Sequence, residues 1–181
     1  MPNQIRRTSV MAGVGQYRQR QLAGQAGVNP SLLGYLGRAM SLEFSAAQQY
    51  IAQAALAQNR AELDFAHEFV VLANEEFRHA SELTERMVDL GALPAGSILT
   101  PATPAMSVLE SLSVCQINEQ QLIDLYQQAY QLSRNVGSAE DAELFGRLFE
   151  EERAQLVRIQ QWAADYQARL QAVPKMNRGF A

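Results

Sequence analysis

Residues 69–83 read FVVLANEEFRHASEL. Phe69, Leu72, Glu76, His79 and Leu83 recur at spacings of three and four, which places them, with Phe65 one turn earlier, along one face of a helix. That face is apolar except for Glu76 and His79. A carboxylate on a core-facing stripe loses its hydration at a cost of several kcal/mol, on the order of 3–5 when left unpaired, so something positive is expected beside it.

The same arrangement occurs three more times. Leu36, Met40, Glu43, Ala47, Tyr50 and Ala54 form a stripe upstream. Downstream stand Leu112, Cys115, Glu119, Leu122 and Tyr126, then Phe145, Leu148, Glu152, Gln155, Ile159 and Trp162. Each stripe holds a glutamate. The pattern predicts helices over residues 31–58, 61–90, 105–135 and 139–171. Asn29-Pro30 supplies a cap and a first helical residue, Thr103-Pro104 and Ser138 supply later starts, and Gly91 and Gly137 act as stops. No stretch between them alternates as a strand does, so the expected fold is all-α. Short A–B and C–D turns make antiparallel hairpins. The roughly 13 residues of 91–103 can span about 40 Å when extended, enough to cross the bundle from end to end. The expected architecture is an up-down-down-up four-helix bundle with a long crossover between helices B and C.

In an antiparallel hairpin, residues equidistant from the turn meet. The midpoint of Glu43 and Glu76 falls between Asn59 and Arg60, and that of Glu119 and Glu152 between Asn135 and Val136. Both midpoints coincide with a predicted turn, so each pair is expected at one height. The hairpins also repeat: the step from Glu43 to Glu119 equals the step from Glu76 to Glu152 and that from His79 to Gln155. Four carboxylates and an imidazole converging in a core match the donor set of a carboxylate-bridged dinuclear metal site. The neighbouring Glu75, Glu150 and Glu151 read as exposed, His67 as a surface histidine, and Tyr126 as a packing residue.

The bundle is expected over 30–171, preceded by a Gly/Gln/Arg-rich extension, 1–29, and followed by a tail, 172–181. Ahead of Glu43 the chain carries five arginines and no acid, whereas as a whole it has a net charge of −4. Such an arm suits an acidic protein partner or a membrane surface, or is a solvated tail; no nucleic acid is expected. A lone Cys115 cannot form an internal disulfide, which suits a reducing compartment, and no apolar run reaches the length of a membrane span, about 18 residues. A cytoplasmic location with no transmembrane segment is the corresponding expectation.

Over about residues 31–165 the chain resembles the ferritin superfamily, the bacterioferritins most closely, on Leu42-Glu43-Phe44 through Gln49-Tyr50, Glu75-Glu76-Phe77-Arg78-His79 and Glu150-Glu151-Glu152. The resemblance implies a ferroxidase centre of two iron ions. Glu43 and Glu152 would be terminal or chelating ligands, Glu76 and Glu119 bridges, and His79 an imidazole ligand. Tyr50 matches the tyrosine beside that centre and is the expected catalytic side chain. Gln155 stands where a bacterioferritin has its second histidine and joins the metal set as a weaker ligand. Phe77 replaces the haem-ligating methionine, so no haem is expected.

The resemblance further implies a homo-oligomer, a dimer at least, with a cage as an option. Ala172-Val173-Pro174 leaves little chain for the fifth helix of ferritin cages. Fe(II) with dioxygen or peroxide would be the reactants, and iron storage or homeostasis the role. Two other functions compete: an assembly module with a weakened metal site that works through its basic arm, and a di-metal oxidase of an organic substrate.

Overall fold

A computed structural model describes residues 28–95 and 99–172. Four helices account for most of them: α1 (Pro30–Asn59), α2 (Leu63–Asp89), α3 (Val108–Asn135) and α4 (Ala139–Ala172). The predicted extension, apart from residues 28 and 29, and the tail beyond Ala172 lie outside the described residues, as does the sequence that bears on a fifth helix.

The helix ends follow from local chemistry. Asn29 Oδ1 accepts from Ser31 N at 2.9 Å, and Pro30 sits where a missing N–H costs nothing. Gly91 and Gly137 adopt φ of 75°, the left-handed conformation that ends a helix without a Cβ clash. Ala61 makes the same left-handed step, φ 58°, in the α1–α2 turn, where the chain has no glycine. α3 starts later than Thr103-Pro104 implied. Ser107 caps it by accepting from Glu110 N at 3.2 Å, while Glu110 Oε2 accepts from Met106 N at 2.6 Å. This two-way exchange satisfies donors on both sides of the helix start and fixes it at Val108 rather than Ala105.

Cross-helix pairs give the direction of each element. Between α1 and α2, Thr84 contacts Met40 and the Phe44 and Phe77 rings lie 6.2 Å apart, so higher numbers on one helix meet lower numbers on the other. Tyr35 with Gln128 and Gln53 with Ser111 set α1 antiparallel to α3. Arg86 with Asp141 and Arg158 with Glu75 set α2 antiparallel to α4. The helices therefore run up, down, down and up, with the crossover spanning the bundle. Backbones approach closely within the two hairpins and between α1 and α3. Ala39, Ala46, Ala54 and Ala57 are buried on α1, and their small side chains permit that approach.

The core runs along the bundle axis through Leu36, Phe69, Leu72, Leu112, Leu122, Phe145, Leu148 and Ile159. Each such large apolar side chain contributes about 1.5–3 kcal/mol on burial. The described part of the crossover is strapped to α1. Gln49 and Gln53, one turn apart, both donate to Thr103 O, at 2.9 and 2.8 Å, and Gln49 Oε1 accepts from Thr103 N at 2.6 Å. Arg60 adds a bond to Ala105 O at 3.1 Å.

Candidate metal centre

The core is interrupted at mid-height, where each helix contributes a glutamate. Glu43, Glu76, Glu119 and Glu152 are fully buried, as is His79, and Gln155 is 5% exposed. Helical spacing puts His79 one turn beyond Glu76, and the hairpin turns bring the glutamates of each pair to one level. Ligand atoms of Glu43, Glu76, His79 and Glu152 lie within 4.8 Å of one another. His79 Nδ1 is 2.7 Å from Glu152 Oε1, 3.3 Å from Glu76 Oε2 and 3.6 Å from Glu43 Oε2. Glu119 faces the same interior and feels the charges of Glu76 and Glu152.

Two tyrosines close the site on the α1–α3 side. Tyr50 on α1 donates to Glu119 Oε1 on α3, and Tyr126 on α3 donates to Glu43 Oε1 on α1. Tyr126 is thus a hydrogen-bonding member of the site rather than the packing residue read from its stripe. The signal was present in the sequence, since Tyr126 follows Tyr50 by the same interval as Glu119 follows Glu43.

On the α2–α4 side, His79 Nε2 lies 3.1 Å from Glu151 Oε2. Glu151 also takes Arg78 Nη2 at 2.5 Å and Arg147 Nη1 at 3.0 Å. Glu75 is bound by Arg158, at 3.3 Å for its Nη1. Glu75 and Glu151 are therefore partly buried and paired, not the exposed neighbours the sequence suggested. Glu150 is exposed and, among the described residues, pairs with Arg153 at 3.2 Å, and His67 is exposed. Gln155 turns its amide nitrogen toward the two α2 carboxylates, 3.0 Å from Glu76 Oε1 and 3.3 Å from Glu75 Oε2.

The electrostatics mark the interior as a place short of positive charge. Burial, then the charge of Glu152, raises the Glu43 carboxyl above its ordinary value. Burial followed by Glu43 raises Glu76 well above, burial followed by Glu76 does the same to Glu119, and burial followed by Glu76 also raises Glu152. Burial opposes protonation of His79, but its contacts with Glu152, Glu43 and Glu76 outweigh that and raise it. Burial also works against ionisation of Glu151, yet Arg78, Arg147 and His79 prevail and lower it to about 2.

Among the described residues, Glu43 Oε2, Glu119 Oε2 and Glu152 Oε2 are buried without a hydrogen-bond donor, while Glu152 Oε1 has His79 Nδ1 at 2.7 Å. Buried polar atoms are normally satisfied, and three carboxylate oxygens left open in a core that also holds a histidine fit a cation held by hard oxygen donors and an imidazole. Among the described residues, Glu43, Glu76, His79 and Glu152 are the one group of three or more acidic, histidine or cysteine side chains whose ligand atoms gather in this way.

Comparison with known proteins places the chain. Its fold matches that of a Rhodobacter capsulatus bacterioferritin, described with a metal-free dinuclear site and a haem iron in a crystallographic special position. The TM-score is 0.75 at 20% identity, with 78% of this chain and 88% of that chain covered. No curated protein matches the sequence. The profile of the ferritin-like domain matches residues 33–168, a span that takes in all four glutamates and both tyrosines of the site, and the chain belongs to the ferritin-like domain family.

Proposed function

We propose that this protein is a ferroxidase, which takes Fe(II) into the centre of the bundle and oxidises it to Fe(III) with dioxygen or peroxide. The observation that carries this reading is the set of three open carboxylate oxygens, from Glu43, Glu119 and Glu152, in the core that holds His79. Anionic oxygen donors favour the higher iron charge and so make the oxidation easier. Glu43, Glu76, Glu119, Glu152 and the Nδ1 atom of His79 would hold two iron ions. When bound, the metal supplies the electrons that reduce the oxidant. Tyr50 and Tyr126 hold Glu119 and Glu43 in place and can pass protons to them. The apolar residues above and below the site exclude bulk water.

Gln155 makes the two halves unequal. An amide is a weaker ligand than an imidazole, so the Gln155 half is the weaker position. This favours a second reading, in which the site is residual and the basic arm before α1 makes the useful contact with an acidic partner. We read the protein as a homo-oligomer in either case. Leu63, Val70 and Phe77 follow one another every seventh residue on the outside of α2 and are 65%, 46% and 43% exposed, and Ile51 of α1 is 49% exposed. Such a face suits a second copy of the chain. The Phe77 ring has no ligand atom, and no haem is proposed. No helix among the described residues is long and apolar enough to cross a membrane.

Elemental analysis of iron, with Fe(II) oxidation followed by absorbance for the native chain and Glu76→Ala, tests the ferroxidase. Oxidation at an undiminished rate in Glu76→Ala would remove it. Absence of metal uptake, with a partner recovered only when residues 1–29 are present, would favour the second reading. Light scattering decides between a dimer and a cage.

A further inference from the structure

The two seams that join the hairpins are built differently. Between α1 and α3 the backbones pack closely over buried alanines, whereas between α2 and α4 they stay further apart. Among the described residues, arginines bridge this wider seam in four rungs. Glu75 of α2 takes Arg158 of α4, Arg78 takes Glu151 at 2.5 Å, Glu82 takes Arg147, and Arg86 takes Asp141 at 2.6 Å. The sign alternates from rung to rung on each helix. Charges therefore also pair along a helix, Arg78 with Glu82 at 2.8 Å and Arg147 with Glu151 at 3.0 Å, and these four side chains close into a ring of ion pairs.

The rungs differ in what they show to solvent. Asp141 is fully buried, holds Arg86 through both oxygens and accepts from Ser138 as well, so that rung is shielded from dissolved ions. The side chains of the other three rungs are 26–49% exposed, and ion pairs of that kind are weakened by salt. Behind them stand His79, with Nε2 3.1 Å from Glu151 Oε2, and Gln155. A cavity of about 310 Å³, lined by Glu75, Arg78, Glu151, Ala154, Gln155 and Arg158, opens at that height.

We propose that the α2–α4 seam is a salt-released clasp, hinged at the Arg86–Asp141 rung, whose parting admits a divalent cation to the centre. This rests on reading the centre as a metal site. The α1–α3 seam is tied in another way, by Gln49 and Gln53 on Thr103 and by the two buried tyrosine bonds, and dissolved ions do not screen such hydrogen bonds. With the clasp closed, Glu75 and Glu151 are occupied by Arg158 and Arg78, and two guanidiniums face an incoming cation. With it parted, the arginines swing into water on their longer stems and the two carboxylates meet the ion. The sign of the salt effect separates this from simple attraction. An acidic site behind a permanent opening takes up a cation more slowly as salt rises, because the attraction is screened, whereas a clasp made of ion pairs takes it up faster.

The test uses the full chain with Zn(II) as probe. Stopped-flow mixing with a chromophoric chelator gives association and dissociation rates at about 0.05 and 0.5 M potassium nitrate, over which the screening length falls from about 14 Å to about 4 Å. The native chain is compared with two double variants, each verified as folded by circular dichroism. Glu82→Gln with Arg147→Gln removes one rung at constant net charge, and Glu150→Gln with Arg153→Gln removes an equal pair that lies along α4 alone. The native chain should load faster at the higher salt. At low salt the rung variant should load and release about threefold to tenfold faster than the native chain, with affinity within about threefold, since a clasp alters the path and not the ligands. The α4-pair variant should track the native chain. Slower native loading at higher salt, native rates in the rung variant, or equal acceleration in the α4-pair variant would overturn the proposal while leaving the metal reading intact. Failure of the native chain to bind Zn(II) would overturn both.

Discussion

Tyr126 Oη donates to Glu43 Oε1 across the α1–α3 interface, and the reverse bond from Tyr50 to Glu119 repeats it with the helices exchanged. Removing either hydroxyl leaves a buried carboxylate oxygen without its donor. Tyr126→Phe and Tyr50→Phe should each lower the stability of the metal-free chain by about 1–3 kcal/mol. Urea unfolding measures this, and a loss below about 0.5 kcal/mol would show the bond to be unimportant.

The raised carboxylates give a pH dependence of definite sign. Glu43, Glu76, Glu119 and Glu152 hold protons in the folded chain at pH values where the unfolded chain, titrating near 4.5, has lost them. His79 likewise holds its proton above 6.5. The folded state therefore binds more protons, and stability declines as pH rises from about 5 toward 8. Glu151 behaves oppositely, since its depressed value of about 2 adds stability that is lost only on acidification below 4.5. The midpoint temperature of metal-free protein should fall between pH 5 and 8, and excess Zn(II) should reverse the trend. A midpoint that climbs with pH without metal would contradict the electrostatic account.

Glu76→Gln separates stability from metal binding. It removes a carboxyl that folding must either protonate or bury as an anion while keeping the shape, so the metal-free chain at pH 8 should become more stable, by about 1–3 kcal/mol. The same change takes away a central ligand, and Zn(II) affinity should drop at least about tenfold. Denaturation and chelator competition on one preparation read both effects. Parallel losses in the two would mean that Glu76 serves the fold rather than a cation.

Gln155→His should add a second imidazole opposite the first, with Glu75 Oε2 already placed to accept its N–H. The expected outcome is a rise in tightly held Zn(II) from one to two ions per chain, counted by elemental analysis after dialysis. A count that stays at one would show that the weakness of that half lies elsewhere than in the amide.

The helices and the ligand stripes were legible because burial repeats every three or four residues. Leu36, Glu43, Tyr50, Phe69, Glu76, His79, Glu119 and Glu152 are all buried as their stripes require. The turn midpoints were legible too, since a hairpin is a local object whose register is fixed by a few residues. Glu151 was not. It lies next to Glu152, about 100° around the helix, and its surroundings come from Arg78 on α2, far off in sequence. Periodicity along one helix says which way a side chain faces, not which charge waits there. The start of α3 was missed for a related reason. Thr103-Pro104 resembles a helix start, but the Thr103 peptide is bound by Gln49 and Gln53, contacts that come from α1.

That clasp on Thr103 acts as a gauge for the whole interior. It ties the chain just ahead of α3 to a fixed height on α1, so the level at which Glu119 arrives is measured from α1 itself. Each residue added or removed between Thr103 and Ser107 would change the reach of this non-helical link by up to about 3.3 Å. A single deletion there would pull α3, and Glu119 with it, away from Tyr50 while leaving every residue of the centre in the sequence. The length of this short connector is under the same constraint as the identity of the glutamates.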